Sequence, residues 1–192
     1  MKSADKFIIT GLAGEKTLKG RVSVNGAKNA VLKAMAGAIL FDGEVELQNV
    51  PNTEDVHTLN EILTDIGAKV RWKDDSPHSH ILYIDSSNIN NYDIDPQKAG
   101  AMRASVVLTG PMLARYGKVS FPAPGGCVIG ARPIDLFIEG YKSMGAEVRP
   151  QNDLYYISAK KLNQTEIHFK KITVGGTETL MMASVLISGK TT

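Results

Sequence analysis

A repeated supersecondary unit is the feature of this sequence that most narrows the folds open to it. Each copy has a strand that begins at a glycine, a loop, an amphipathic helix and a second glycine-led strand. The first copy comprises 43–47, 56–66 and 67–71, and the second comprises 117–121, 134–144 and 145–149. An offset of roughly 75 residues suits a repeated strand–helix unit. A third copy reaches only Gly189-Lys190-Thr191-Thr192, so we expect two complete units and a partial third.

Three further segments are apolar on nearly every side, and each precedes the first glycine-led strand of one copy. They are 30–40, 102–108 with the residues that follow, and 179–187. Helices that are apolar all round are buried at the centre of a domain. The sequence therefore predicts an α/β fold with helices innermost and sheets outside them, which inverts the usual barrel layout. Gly67 and Gly145 stand where a helix C-terminus prefers glycine.

The composition excludes several classes of protein. A net charge of +2 gives no reason to expect a nucleic-acid or membrane partner. The single cysteine rules out a disulfide within the chain and suits a reducing compartment. No apolar run is long enough to span a bilayer, and the first residues lack a signal region. We therefore expect a cytoplasmic protein. His78 and His80 lack further ligands at suitable spacing, so we predict no metal and no cofactor.

The segment 124–133, PGGCVIGARP, contains the only cysteine. Its glycines and prolines forbid a regular helix or a central strand and predict a shaped loop. Cys127 lies shortly before a predicted helix that has Pro133 in its first turn, and Arg132 follows it by five positions. A helix N-terminus and a nearby cation both favour the thiolate, which indicates a reactive cysteine. The alternative is that Cys127 is a small buried hydrophobe.

Other polar residues stand at the starts of the apolar helices. Asn25-Gly26 predicts a turn that places Lys28 and Asn29 at a helix N-terminus, where backbone N–H groups and a lysine can hold an anion. The segment 173–177, TVGGT, occupies the matching place before the third helix. Arg103 interrupts an apolar helix and needs a partner, which is either a bound anion or a structural salt bridge.

These motifs resemble the UDP-N-acetylglucosamine 1-carboxyvinyltransferase family, the enolpyruvyl transferases that open bacterial peptidoglycan synthesis. The residues that carry the resemblance are 25–30 (NGAKNA), 49–51 with 55–56, 102–105 (MRAS) and above all 124–133. The resemblance implies an inside-out α/β barrel of βαβαββ units, about two and a half of them here. It also implies transfer of the enolpyruvyl group of phosphoenolpyruvate to the 3-hydroxyl of UDP-N-acetylglucosamine, with release of phosphate.

The resemblance also assigns roles to residues of this chain. Cys127 protonates the methylene carbon of phosphoenolpyruvate and is the site of a fosfomycin adduct, while Lys28 and Arg132 neutralise phosphate and carboxylate charge. Asn29 orients substrate and Arg103 contacts the nucleotide sugar. The residues implied at the uracil end are Arg132, Pro133, Ile134, Asp135 and Leu136. Those implied at the diphosphate and nearby groups are Lys171, Ile172, Thr173, Val174 and Gly175.

The same resemblance predicts the domain organisation. We expect 22–192 to form a first domain whose third unit is cut short, and 1–21 to pack on a second domain. On this basis we expect the 192-residue chain alone to lack transferase activity and to be marginally stable or to associate through open sheet edges. Lys33 stands where the family commonly has proline, from which we expect only an effect on local helix packing.

Two other functions remain open from the sequence. One is a nucleotide-sugar-binding remnant without catalysis, which would bind UDP-N-acetylglucosamine but never turn it over. The other is the shikimate-pathway enolpyruvyl transferase, which shares the fold but lacks the cysteine loop. The identity of the acceptor that binds distinguishes the second from the leading interpretation.

Overall fold

The computed structural model describes residues 8–11, 14, 17, 19–76, 79–122 and 134–192. Each of its two complete units contains an inner helical segment, a strand, an outer helix and a β-hairpin. In the first unit these are α1 (Lys28–Gly37), a 3₁₀ turn (Ala38–Leu40), β1 (Glu44–Val50), α2 (Glu54–Asp65), β2 (Lys69–Ser76) and β3 (Ser79–Asp85). The predicted repeat is therefore present in the first half of the chain.

The second unit repeats this order after a short helix. Its elements are α3 (Pro96–Ala101), a 3₁₀ helix (Arg103–Leu108), α4 (Thr109–Tyr116), β4 (Lys118–Pro122), α5 (Asp135–Ser143), β5 (Glu147–Gln151) and β6 (Leu154–Ser158). A last helix, α6 (Val174–Ser184), begins the third unit. The two sheets have the same antiparallel topology, β1-β3-β2 and β4-β6-β5.

Helices α4 and α6 pack against each other, and the 3₁₀ helix contacts α1, α4 and α6. The outer helices α2 and α5 pack on β2 and β5 respectively. The predicted apolar face of α2 is confirmed, since Val56, Leu59, Ile62, Leu63 and Ile66 are all buried. Its burial joins the outer helix to the sheet and to the inner helices in one core.

Glycines end the two outer helices in the same way. Gly67 and Gly145 have φ angles of +106° and +87°, a left-handed conformation that suits glycine. The N–H of Gly67 donates to Thr64 O at 3.0 Å, and that of Ala68 to Leu63 O at 2.9 Å. These bonds satisfy carbonyls that the helix end leaves open, and residues 141–146 repeat them. The sequence prediction of glycine C-caps is confirmed.

The third copy of the repeat is confirmed where the chain contains it. Gly189 has a φ of +109°, and its counterparts Gly43 and Gly117 have +101° and +71°. Backbone pairing is also repeated: Ser120 donates to Tyr92 O at 2.8 Å, and Thr192 donates to Thr165 O at 3.0 Å. The end of the chain thus follows the second unit residue by residue.

Two expectations about the inner helices need correction. The segment after Met102 begins as a 3₁₀ helix and becomes α-helical only at Thr109. Pro111, which has no N–H to donate, can then sit in the first turn of α4. The third helix is not buried on all sides, because Val174, Met181 and Val185 are 70%, 59% and 58% exposed. Within the described residues, packing on α4 and α5 leaves this stripe uncovered.

The segment before α1 also differs from its prediction. Residues 21–27 belong to no helix, strand or turn, so the predicted turn at Asn25-Gly26 is absent. Gly26 is needed for another reason, because a Cβ atom there would collide with the carbonyl oxygen of Asn49. Its N–H donates to the Asn49 side chain at 3.2 Å. The proposed boundary between 1–21 and 22–192 stays a prediction. No helix in the described part of the chain is long and apolar enough to cross a membrane.

Candidate functional site

A cleft of about 850 Å³ opens between the inner helices and the start of α5. Most of the described residues that the family resemblance assigns to the nucleotide sugar line this cleft. They are Arg103, Asp135, Leu136, Lys171, Ile172, Thr173, Val174 and Gly175. These residues come from three separate parts of the chain, so the fold itself brings them together. Among the described residues the remaining lining is Lys33, Ala104, Val106, Val107, Phe137, Glu139, Lys170 and Thr179.

One wall of the cleft is the N-terminal end of α5. Asp135 is the first residue of this helix and is exposed, and Leu136 beside it is half-buried. A carboxylate in the first turn is favoured by the positive end of the helix. Ile134, by contrast, is buried and its carbonyl accepts the first helical bonds from Phe137 and Ile138. Ile134 is not among the described residues that line the cleft.

The opposite wall is the segment that leads into α6. Thr173 is the N-cap of that helix, and its Oγ1 accepts the N–H of Gly176 at 3.0 Å. Val174 and Gly175 form the first turn, where backbone N–H groups have no partner within the helix. A helix N-terminus of this kind favours anions through its free N–H groups and its dipole. Lys171 adds a positive charge two residues before the cap.

The floor of the cleft is formed by the 3₁₀ helix and α6. Arg103 is the first residue of the 3₁₀ helix and is half-buried. Val107 and Thr179 are buried beside it. Thr179 lies where α6 crosses α4 closely, since a Cβ atom on Gly110 would collide with the Thr179 carbonyl. Among the described lining residues of the 3₁₀ helix and α6, Arg103 is the only charged one.

Two ion pairs join the elements around the cleft. Lys33 of α1 lies 3.2 Å from Glu178 of α6, and Lys170 lies 2.8 Å from Glu139 of α5. The hydrogen bond that Lys170 donates to Glu139 raises the pKa of Lys170 and keeps that side chain charged. The described lining carries four basic side chains and two acidic ones, so it favours an anionic ligand. Sequence reasoning missed both pairs.

The two predicted site residues at the start of α1, one to neutralise phosphate and carboxylate charge and one to orient substrate, do not line this cleft. Lys28 and Asn29 open α1 and are exposed, but neither belongs to the cleft lining. Lys28 Nζ pairs with the carboxylate of Asp55 at 2.5 Å, which ties the start of α1 to the start of α2. The sequence motif that contains Asp55 does not predict this ion pair. Cys127, Arg132 and Pro133 lie outside the described residues.

The described residues contain no group of three or more histidine, cysteine or acidic side chains that could hold a metal ion. His80 Nδ1 and Asp74 lie 3.0 Å apart, and His57 stacks on Trp72 with ring centroids 5.0 Å apart. Both histidines therefore have local contacts that account for their positions.

Over the aligned residues, two curated relatives are 42–44% identical to this chain, and both are named UDP-N-acetylglucosamine 1-carboxyvinyltransferase. The protein of Wolbachia sp. subsp. Brugia malayi is 44% identical over 182 residues, which cover 92% of this chain and 42% of the relative. The protein of Geobacter metallireducens is 42% identical over 187 residues, which cover 97% and 43%. The chain thus spans about two fifths of the length of these relatives.

Solved structures confirm the predicted fold. The enolpyruvyl transferase NikO from Streptomyces tendae superposes with a TM-score of 0.73 at 19% identity, covering 91% of this chain and 40% of that protein. EPSP synthase from Acinetobacter baumannii gives 0.69 at 18% identity, covering 92% and 43%. At such identities the likeness concerns the fold alone.

The sequence model of one family, described as EPSP synthase (3-phosphoshikimate 1-carboxyvinyltransferase), matches residues 12–192. This match covers nearly the whole chain and agrees with the repeat, the inner helices and the fold. The chain belongs to the EPSP synthase (3-phosphoshikimate 1-carboxyvinyltransferase) family.

Proposed function

We propose that this chain carries the first-domain half of a site that transfers an enolpyruvyl group from phosphoenolpyruvate to the 3-hydroxyl of UDP-N-acetylglucosamine and releases phosphate. The observation that carries the proposal is the cleft, where Arg103, the start of α5 and residues 171–175 surround one anion-favouring space. The names of the relatives with 42–44% identity support the choice of acceptor.

In this proposal the cleft binds the nucleotide sugar. The diphosphate lies at the wall formed by 171–175, where the N-terminus of α6 and Lys171 supply N–H donors and positive charge. Arg103 contacts the same ligand from the floor. The uracil end lies at Asp135 and Leu136, and we assign Arg132, Pro133 and Ile134 to the same end of the ligand. A ligand held at both ends presents its sugar hydroxyl in a fixed place, which lowers the entropic part of the barrier.

The chemical step belongs to the cysteine loop and the start of α1. Cys127 gives a proton to the methylene carbon of phosphoenolpyruvate while the sugar hydroxyl oxygen bonds to the adjacent carbon and the hydroxyl proton passes to the phosphate group. The resulting tetrahedral intermediate returns a methyl proton to the Cys127 thiolate as the bond to phosphate breaks, which forms the enol ether and regenerates the thiol. Lys28 and Arg132 neutralise phosphate and carboxylate charge, and Asn29 orients the substrate beside Lys28.

A chimaera tests this function. Residues 1–192 are joined to the remaining part of the Geobacter metallireducens relative, and phosphate release is measured with both substrates. We expect release that requires both substrates and is lost in Cys127→Ala. Lys98→Met is the matched control, because Lys98 pairs with Asp65 at 2.6 Å outside the cleft lining and should leave the rate unchanged.

The outcomes separate the competing functions. Release with 3-phosphoshikimate in place of the nucleotide sugar would replace our acceptor by that of the family description. Binding of UDP-N-acetylglucosamine without release by the chimaera would indicate a binding remnant. Full activity of Cys127→Ala at every pH would refute the proton-transfer step.

We also propose a cellular setting for this activity. The enzyme acts in the cytoplasm in peptidoglycan synthesis, and so affects cell shape and division. Fosfomycin is expected to modify Cys127, and mass spectrometry of the treated chimaera should find one adduct on the peptide that contains this residue. The 192-residue chain alone is expected to release no phosphate, since one wall of the active site comes from the second domain.

A further inference from the structure

Lys33 lies on the wall of the cleft, although the sequence suggested only a packing role for it. It is in the middle of α1, and its side chain is 29% exposed. Its Nζ is 3.2 Å from Oε2 of Glu178, whose side chain is 32% exposed. The pair therefore links the first inner helix to the last one, and both of its side chains are partly buried.

The two partners face different spaces. Lys33 lines the cleft, whereas Glu178 lines a neighbouring groove that shares residues 171–174 with it. The other ion pair is arranged differently, since Lys170 and Glu139 both line the cleft and cancel each other there. Lys33 thus brings a positive charge to the cleft, whereas the Glu178 carboxylate that pairs with it belongs to the neighbouring groove.

A lysine ammonium has three donors, and a carboxylate on one side uses only part of them. Glu178 also holds the flexible lysine stem in one orientation, so less conformational entropy is lost when a ligand binds. The ammonium can therefore bond to an anion in the cleft without leaving Glu178.

We infer that Lys33 is a further ligand-binding residue of this cleft, which contacts the diphosphate of the nucleotide sugar, and that Glu178 is its positioning residue. The inference rests on the proposed function, because it takes the cleft to be the site of UDP-N-acetylglucosamine. It adds a cation from α1 to those supplied by Arg103 and Lys171.

Binding of UDP-N-acetylglucosamine to the 192-residue chain, measured by titration calorimetry, tests the inference. Lys33→Met should raise Kd about tenfold, the loss expected for one charge-assisted contact. Glu178→Gln keeps the ammonium and should raise Kd no more than about threefold. The dependence of Kd on salt should also be weaker in Lys33→Met than in the wild type.

A charge swap separates binding from structure. Lys33→Glu combined with Glu178→Lys restores the ion pair but turns a carboxylate toward the cleft. We expect its thermal unfolding to match the wild type while its Kd rises at least as far as that of Lys33→Met. Lys98→Met, outside the cleft lining, is the control and should not change Kd.

Each remaining outcome contradicts a different statement. A Kd for Lys33→Met within about twofold of the wild type would overturn the inference, because a lost charged contact costs more. Recovery of wild-type affinity by the charge swap would show that the pair is only structural. Absence of binding to the wild-type chain would overturn this inference together with the assignment of the cleft.

Discussion

The N-cap of α6 offers a test in which helix stability and ligand binding can be separated. Thr173 Oγ1 accepts the Gly176 N–H at 3.0 Å, and Thr173 also lines the cleft. Since a hydroxyl can accept and donate at once, Thr173 can cap the helix and still give its proton to a ligand. Thr173→Ala should destabilise the chain by about 1 kcal/mol through the lost cap. For a chain of this size that corresponds to a fall in Tm of about 2–4 °C.

Two further variants separate the effect on helix stability from the effect on ligand affinity. Thr173→Ser keeps the hydroxyl and should match the wild type in Tm and in affinity. Thr173→Asp keeps a good N-cap but adds negative charge to the cleft, so Tm should hold while Kd for UDP-N-acetylglucosamine rises more than about tenfold. Thermal unfolding by circular dichroism and titration calorimetry supply both quantities. Unchanged affinity in Thr173→Asp would refute the statement that this wall binds an anion.

The hydrogen bonds of the half-buried Arg115 and of the buried Tyr141 give further predictions. Arg115 donates to the carbonyls of Ile39 at 2.6 Å and Phe41 at 2.5 Å, so Arg115→Ala should lower the free energy of unfolding in urea by about 2–3 kcal/mol, and Arg115→Lys by less. A loss below about 1 kcal/mol in the alanine variant would contradict this, since charged hydrogen bonds usually contribute more. Tyr141 must donate to Thr109 Oγ1 at 2.6 Å, because the Thr109 proton goes to a backbone carbonyl, and Tyr141→Phe should cost about 1 kcal/mol. Burial raises the pKa of Tyr141 above the ordinary value of 10.0, so the neutral form favours the folded state and wild-type stability falls as pH rises past that value. Tyr141→Phe lacks this contribution to the pH dependence. Urea titrations should therefore show the difference in free energy of unfolding between the two proteins narrowing above pH 10.0, and a constant difference would refute the prediction.

Features encoded by local sequence could be predicted well. The apolar face of α2 follows from the spacing of its side chains, and its end follows from Gly67. The equivalent end of α5 at Gly145 repeats the same residues and the same hydrogen bonds. These signals are local, because periodicity and a left-handed glycine need only the few residues around them.

Features that depend on distant neighbours could not be predicted in the same way. Lys33 and Glu178 are far apart in sequence, and only the packing of α1 against α6 makes them a pair. The hydrophobicity of α6 suggested burial on all sides, whereas exposure is set by which elements lie beside it. The sequence predicts a turn at Gly26. In the structure glycine is needed there because the Asn49 carbonyl approaches closely, and that is a tertiary contact.

The candidate site could be predicted in part, because it combines local sequence signals with contacts between distant segments. Residue types alone indicated that Arg103 needs a partner and that 173–177 begins a helix able to hold an anion. Family resemblance named both as parts of one site, and the fold brings them to one cleft. Spacing along the chain could not show this convergence, because Arg103 and the start of α5 lie in different elements of the second unit and 171–175 belongs to the third.

A crystal structure of the 192-residue chain with UDP-N-acetylglucosamine tests the central claim most directly. We predict the nucleotide sugar in the cleft, with its diphosphate against 171–175 and Lys33 and its uracil near Asp135 and Leu136. Nucleotide sugar bound elsewhere, for example in the groove beside Lys118 and Arg149 on the second sheet, would contradict the account.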